Sequence, residues 1–155
     1  MRARVISPER LDTLPPDAPE ALGSRRDLAR INAVMGSPRV AARLLGSPAP
    51  RRVLEVGAGD GNFLLRTLRR VDHPIEVSRA TLLDHQDTFS PNVIGHYGRI
   101  NWGVETVVAD AFEHLNEART GPFDAIVANM FLHHFEDDRL AELLRLIAAK
   151  TERFV

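Results

Sequence analysis

At 155 residues the chain is long enough for one domain with a buried core, and its 44% hydrophobic and 26% charged residues are ordinary for a globular protein. A formal net charge of −1 argues against general attraction to nucleic acid, and the lack of cysteine excludes disulfides, thiolate catalysis and cysteine-bound zinc. No apolar run approaches the roughly 20 residues of a membrane span. The positively charged residues 1–8 have no apolar core behind them, so we do not expect them to be a signal peptide. The sequence therefore predicts a cytoplasmic protein that binds neither nucleic acid nor a membrane.

Proline and glycine divide the first fifty residues into short segments that favour helices. Ser24 can cap a helix over residues 25–35, and Ser37 with Pro38 can start a second helix that Gly46 ends. The apolar face of the second helix is predicted to consist of Val40, Ala41, Leu44 and Leu45. We expect residues 1–50 to form an N-terminal helical cap on a second unit, residues 51–155.

A short apolar strand at residues 53–56 runs directly into Gly57, Gly59 and Gly61, and helical apolar spacing follows from Asn62. A strand, a glycine turn and a helix in this order are typical of nucleotide-binding α/β units. The dinucleotide fingerprint G-x-G-x-x-G would need its third glycine at position 62, where Asn62 stands. A nicotinamide dehydrogenase is therefore the less favoured alternative. An acid, Glu55, precedes the first glycine by two positions.

Two further acids follow predicted strands. Residues 80–84 predict a second strand ending in Asp84, where a carboxylate can accept hydrogen bonds from both hydroxyls of a ribose. Asp87 is a rival for that role, but it lies beyond the strand. A third strand over residues 104–109 ends before Asp110, which taken alone is as well explained as a helix N-cap.

A fourth strand over residues 123–129 leads into the segment Asn129-Met130-Phe131-Leu132-His133-His134-Phe135. The two histidines are adjacent, so we expect them to point in different directions and to make a poor metal pair; no metal site is predicted. His133 and His134 are weak candidates for a general base, since histidine titrates near neutrality. Histidines that only pack against the end of the strand are the favoured interpretation.

These motifs together resemble class I S-adenosylmethionine (SAM)-dependent methyltransferases of the bacterial small-molecule type. The resemblance implies that Glu55 helps fix the methionine amino end, that Asp84 holds the ribose, and that Asp110 contacts the adenine. It implies that the backbone near Asn129 and Met130 borders the transferring methyl group. The cofactor-binding residues implied in this way are Glu55, Gly57, Ala58, Gly59, Gly61, Asp84, His85, Asp110, Ala111, Asn129 and Met130. The implied reaction is O- or C-methylation of a small-molecule acceptor.

The predicted fold is α/β, a Rossmann-like parallel sheet of order 3-2-1-4-5 with helices on both faces. A last helix from about residue 136 to 150 should bury Leu140, Leu143, Leu144 and Ile147, and residues 151–155 should begin the fifth strand. Because that family continues for further strands, we expect a truncated domain that binds the cofactor, with turnover in doubt. An open sheet edge of this kind favours a homodimer. A cofactor-binding module without turnover is the alternative to an enzyme.

Overall fold

The computed structural model describes residues 37–71 and 78–155. The helix predicted over residues 25–35, and with it most of the predicted cap, lies outside the described residues. The helices are α1 (Ser37–Leu45), α2 (Asn62–Leu68), α3 (Pro91–Tyr97), α4 (Ala111–Asn116) and α5 (Asp137–Ala148). The strands are β1 (Arg52–Val56), β2 (Ser78–Asp84), β3 (Trp102–Val108) and β4 (Ala125–Val127), and 3-10 turns span Gly98–Ile100 and Leu132–His134.

The four strands form one parallel sheet in the order β3-β2-β1-β4. Val53 pairs with Ala80 of β2 on one side and with Ala125 of β4 on the other. Phe154 forms an isolated parallel bridge with Ile126, so the segment after α5 lies beside β4, where the fifth strand is predicted. The Rossmann-like order is therefore confirmed, and the carboxyl ends of all four strands meet at one edge of the sheet.

Both faces of the sheet are covered, which agrees with the continuous burial of two adjacent strands, β1 from Val53 to Val56 and β4 from Ala125 to Val127. On one face, α1, α2 and α3 pack over Val53 and Leu82. On the other, α4 and α5 pack over Leu54 and Ile126. The core includes residues from the strands and from α5, with Val107 partly buried at the outer strand β3; the fully buried ones include Val53, Leu54, Val56, Leu82, Leu83, Ile126, Val127, Leu143 and Ile147.

Two local expectations are wrong. Val40 and Leu44 of α1 are 52% and 60% exposed, because the helix turns Ala41, Ala42 and Leu45 toward the core instead. Leu144 of α5 is also exposed. The helix opened by Ser90 ends at Tyr97 and is followed by the 3-10 turn, since Gly98 favours the end of a helix over its interior. In the described ranges, no helix combines the length and apolarity needed to cross a membrane.

Candidate functional site

The turn after β1, residues 57–61, is held tightly against β2. The N–H groups of Gly57 and Ala58 both donate to the carbonyl oxygen of Leu83, at 2.9 and 3.0 Å. The N–H of Gly61 donates to the carbonyl of Ala58 at 2.9 Å. We call residues 57–61 the glycine turn; its backbone shape is set by hydrogen bonds within the protein.

Gly57 and Gly59 are required for different reasons, although both have positive φ angles of 72° and 56°. A Cβ atom on Gly57 would lie 2.3 Å from Cδ2 of Phe131, so the ring of Phe131 occupies the space of a side chain. A Cβ atom on Gly59 would meet no described atom within 4 Å. Gly59 is therefore the position where a ligand can approach the main chain closely.

Acidic side chains accept hydrogen bonds from N–H groups at the start of α2. The side chain of Asp60 accepts a hydrogen bond from the Asn62 N–H at 3.0 Å. The Leu64 N–H interacts with the Glu55 carboxyl group, which reaches it from β1. Gly61, the N-cap residue, has no side chain of its own for this purpose. Two N–H groups at the start of this helix, those of Asn62 and Leu64, are thus paired with carboxyl groups rather than open to an anion.

Glu55 is 1% exposed, and within the described part of the chain its Oε2 atom has no hydrogen-bond partner. Burial raises the pKa of the Glu55 carboxyl group well above its usual range, and the negative charges of Asp60 and Asp84 raise it further. The Leu64 N–H acts in the opposite direction. A buried acceptor atom without a partner is costly, so this carboxyl group is suited to a donor from a ligand.

Asp84 lies at the end of β2, as predicted, and links that strand to the glycine turn. Its Oδ2 accepts from the Gly59 N–H at 2.8 Å, and its Oδ1 accepts from the Gln86 N–H at 3.0 Å. The Nδ1 atom of His85 is 3.3 Å from Oδ1, although the rest of the His85 ring is exposed. A carboxylate has about four acceptor positions, so Asp84 keeps capacity for ligand hydroxyls. Asp87 is exposed, beyond the strand.

Asp110 follows β3 and caps α4. Its Oδ1 accepts from the N–H groups of Phe112 and Glu113, at 2.8 and 3.1 Å. The interpretation of Asp110 as an N-cap is therefore confirmed, and its other oxygen remains at the carboxyl edge of the sheet. Ala111 and Phe112 are buried beneath it.

The segment after β4, residues 129–135, is organised by aromatic rings. Phe131 packs on Gly57. The Phe135 ring lies edge to face with the rings of Phe131 and Phe112, at centroid distances of 5.0 and 5.4 Å. The guanidinium of Arg139 is 3.6 Å from the centre of the Phe112 ring. We call residues 129–135 the β4 loop.

Met130, in the same loop, is 48% exposed and has a φ angle of +52°. Residues with a long side chain rarely adopt this backbone conformation, and such backbone strain is concentrated at functional sites. Asn129 beside it is partly buried. Both residues lie at the carboxyl edge of the sheet, next to the end of β1, because β4 pairs with β1.

The two histidines do not point in different directions, contrary to the expectation. The 3-10 turn Leu132–His134 brings the rings of His133 and His134 to 4.1 Å between centroids, with 34° between their planes. Within residues 37–71 and 78–155, no group of three or more histidine, aspartate or glutamate side chains is arranged to hold a metal ion.

Tyr97 is a site residue that the sequence analysis missed. It is fully buried, and its hydroxyl donates to the carbonyl of Gly61 at 2.8 Å. Tyr97 is 36 residues from Gly61 in the sequence, and it belongs to a helix whose glycine lowers its helical propensity. One signal was available: a buried tyrosine needs a hydrogen-bond partner.

Solved structures with this fold include several methyltransferases. An O-methyltransferase family protein from Burkholderia thailandensis is 19% identical, with a TM-score of 0.59 over 79% of this chain and 35% of that one. Magnesium protoporphyrin IX methyltransferase from Synechocystis PCC 6803, solved with bound SAM, is 13% identical, with a TM-score of 0.57 over 80% of this chain and 57% of that one.

A third structure is the plantazolicin methyltransferase in complex with a monoazolic desmethylPZN analogue and S-adenosylhomocysteine (SAH). It is 15% identical, with a TM-score of 0.51 over 83% of this chain and 49% of that one. The chain thus spans about a third to just over half of the length of these proteins. None of the curated proteins matches it.

A family profile described as a methyltransferase domain matches residues 25–152, which include β1 to β4, the glycine turn and the β4 loop. The match covers most of the chain and agrees with the fold of the solved structures. The chain belongs to this family of methyltransferase domains.

Proposed function

We propose that this chain binds SAM at the glycine turn and that the protein transfers a methyl group to an oxygen or carbon atom of a small-molecule acceptor. The observation that carries the proposal is the acidic character of the turn. Glu55, Asp60 and Asp84 lie close enough together for the last two to act on the first. Such a site favours a cationic ligand, and SAM carries a sulfonium and an ammonium group.

The same observation speaks against a dinucleotide. Dinucleotides place a pyrophosphate against free N–H groups at the start of the helix. Here the Asn62 N–H is bonded to Asp60, and the Leu64 N–H is paired with Glu55. A pyrophosphate would displace these acids or face their charge at short range, so a nicotinamide cofactor is disfavoured.

The residues around the turn fit the polar groups of SAM. Glu55 offers a buried acceptor atom, Oε2, and a bound cation would favour the ionised form of its carboxyl group. Asp84 has remaining acceptor capacity for the ribose hydroxyls, and Gly59 leaves room for the ligand at the main chain. Ala58, His85, Asp110 and Ala111 complete the set that we assign to the cofactor.

The acceptor side of the proposal rests on the β4 loop. The chemistry supplied by the bound cofactor is an electrophilic methyl group on a sulfonium, which leaves a neutral thioether when the acceptor takes it. Much of the protein's contribution is alignment of the acceptor, for which Asn129 and the strained Met130 border the site. His133, which is exposed, or His134 could take a proton from a hydroxyl acceptor. The similar magnesium protoporphyrin IX methyltransferase supports a small-molecule acceptor, and the O-methyltransferase family protein supports an oxygen atom as the site of transfer.

Other parts of the proposal concern organisation. Residues 1–50 would form the helical cap and residues 51–155 the cofactor-binding domain. A homodimer through the sheet edge beyond β4 and a cytoplasmic location remain predictions. Light scattering on the purified chain measures the oligomeric state directly.

Isothermal titration calorimetry of the 155-residue chain tests the cofactor. We expect saturable binding of SAM and SAH and no binding of NADH at the same concentrations. A folded protein that binds NADH, or that binds neither SAM nor SAH, would reject the proposal. Transfer of a labelled methyl group to a panel of phenols, hydroxy acids and carbon nucleophiles then tests turnover separately.

A further inference from the structure

Helix α3 supports the glycine turn through hydrogen bonds from both ends of the helix. At the start of α3, the N-cap residue Ser90 donates its N–H to the carbonyl of Asp60 at 3.3 Å. At the end of α3, the hydroxyl of Tyr97 donates to the carbonyl of Gly61 at 2.8 Å. Two consecutive carbonyls of the turn are thus held by one helix that contributes none of the residues assigned to the cofactor.

The Tyr97 hydroxyl shares the Gly61 carbonyl with the first turn of α2. Gly61 should accept the first intrahelical hydrogen bond, but the Leu65 N–H is 3.4 Å from its carbonyl oxygen, longer than usual. Burial raises the pKa of Tyr97, and the negative charges of Glu55 and Asp60 raise it further. The Leu65 N–H lowers this pKa, so it also acts on the phenol oxygen. The Gly61 carbonyl therefore accepts from both the Tyr97 hydroxyl and the Leu65 N–H, and the bond from Tyr97 is the shorter of the two.

One peptide group is held from both sides by this arrangement. The Gly61 carbonyl and the Asn62 N–H belong to the same planar peptide unit. The carbonyl is bound by Tyr97, and the N–H is bound by the side chain of Asp60 at 3.0 Å. Rotation of this peptide would change the path of the backbone between Gly59 and α2, where the cofactor is proposed to lie.

We infer that Tyr97 is a positioning residue for the cofactor, which keeps the glycine turn in its ligand-ready shape by holding the Gly61 carbonyl. This inference rests on the proposed function. Holding the turn before the ligand arrives lowers the cost of ordering it on binding. Tyr97 acts on the cofactor only through the glycine turn, and we assign it no contact with the reacting atoms.

The Tyr97→Phe variant removes the hydroxyl and retains the ring. We expect it to fold, because the Leu65 N–H can move closer to the freed Gly61 carbonyl. We expect its Kd for SAH to rise about 3- to 10-fold, the range for loss of one neutral hydrogen bond. The matched control is Thr67→Val, which removes a buried hydroxyl bonded to the Phe63 carbonyl in the same helix, away from the turn. The control should lower thermal stability and leave the Kd unchanged.

Calorimetry on the three proteins separates the outcomes. A Tyr97→Phe variant that binds SAH within twofold of the unmodified chain, or a Thr67→Val variant that loses as much affinity, would overturn the inference and leave the proposed function standing. No binding by the unmodified chain would overturn both.

A second measurement does not depend on how the variant folds. Tyr97 is the single tyrosine, so incorporation of 3-fluorotyrosine gives one fluorine resonance at this position. We expect that resonance to shift on addition of SAH, with the Kd found by calorimetry. An unchanged resonance at saturating SAH would contradict the inference.

Discussion

The glycine turn and the β4 loop meet at the contact of Gly57 with Phe131, yet they are built differently. The turn donates hydrogen bonds to the Leu83 carbonyl and the Asp84 carboxylate, and it accepts one from the Tyr97 hydroxyl. The loop is held by ring packing of Phe131, Phe135 and Phe112, and it exposes Met130 in a strained conformation. Hydrogen bonds fix direction, whereas ring packing allows adjustment. The side of the site that we propose for the cofactor is therefore preorganised, and the side proposed for the acceptor is adaptable.

The contact between the two regions can be broken at Gly57. The Gly57→Ala change places a Cβ atom 2.3 Å from the Phe131 ring at a positive φ, and we expect a loss of about 2–4 kcal/mol of unfolding free energy. Gly59→Ala is the matched control, because it has a similar φ and open space and should cost only about 1–2 kcal/mol. Urea denaturation measures both.

Phe131→Ala in the Gly57→Ala background tests the cause of that loss. If the ring is responsible, the two changes should be less harmful together than the sum of their separate effects, by about 1 kcal/mol or more. Additive losses would mean that the two regions do not share this contact.

Substitution of Asp84 tests the side of the site that we propose for the cofactor. Asp84→Ala removes the acceptor of the Gly59 N–H and the proposed ribose partner, so SAH binding should weaken by about 1.5–3 kcal/mol, or tenfold and more. Asp87→Ala should change little, since Asp87 is exposed beyond the strand. Calorimetry that finds equal losses, or a loss at Asp87 only, would show that the wrong acid has been assigned.

These acids and strands could be predicted because they are local in sequence. The glycine spacing, the strand ends before Asp84 and Asp110, and the apolar runs of β1 to β4 need no tertiary information. The brace by Tyr97 and the packing of Phe131 on Gly57 could not be found, because each joins residues distant in sequence and has no motif. The close approach of the His133 and His134 rings was missed because the 3-10 turn was not foreseen.

Glu55 should give the turn a pH dependence that the β4 loop lacks. Its pKa is higher in the folded protein than in the unfolded chain, so above about pH 4.5 the folded state holds a proton that the unfolded state has lost. Stability should therefore fall as pH rises from there until Glu55 ionises in the folded protein, by at most about 1.4 kcal/mol per pH unit. Glu55→Gln should remove this component, and parallel stability curves for the two proteins would contradict it.

Met130 provides the smallest expected effect. At its φ of +52° a Cβ atom is strained, so Met130→Gly should be more stable than Met130→Ala by about 1 kcal/mol. The two variants share the loss of the exposed side chain, and their difference isolates the backbone. Thermal denaturation in which the alanine variant is the more stable would mean that the loop does not store this strain.

The most direct measurement of the central claim, that the glycine turn holds SAM, follows the glycine amides by NMR during titration with SAH. We expect large shifts for Gly57, Gly59 and Gly61, and small ones for Gly103 and Gly121, which lie at the start of β3 and before β4. Shifts confined to Gly103 and Gly121, or no shift at saturating SAH, would contradict it.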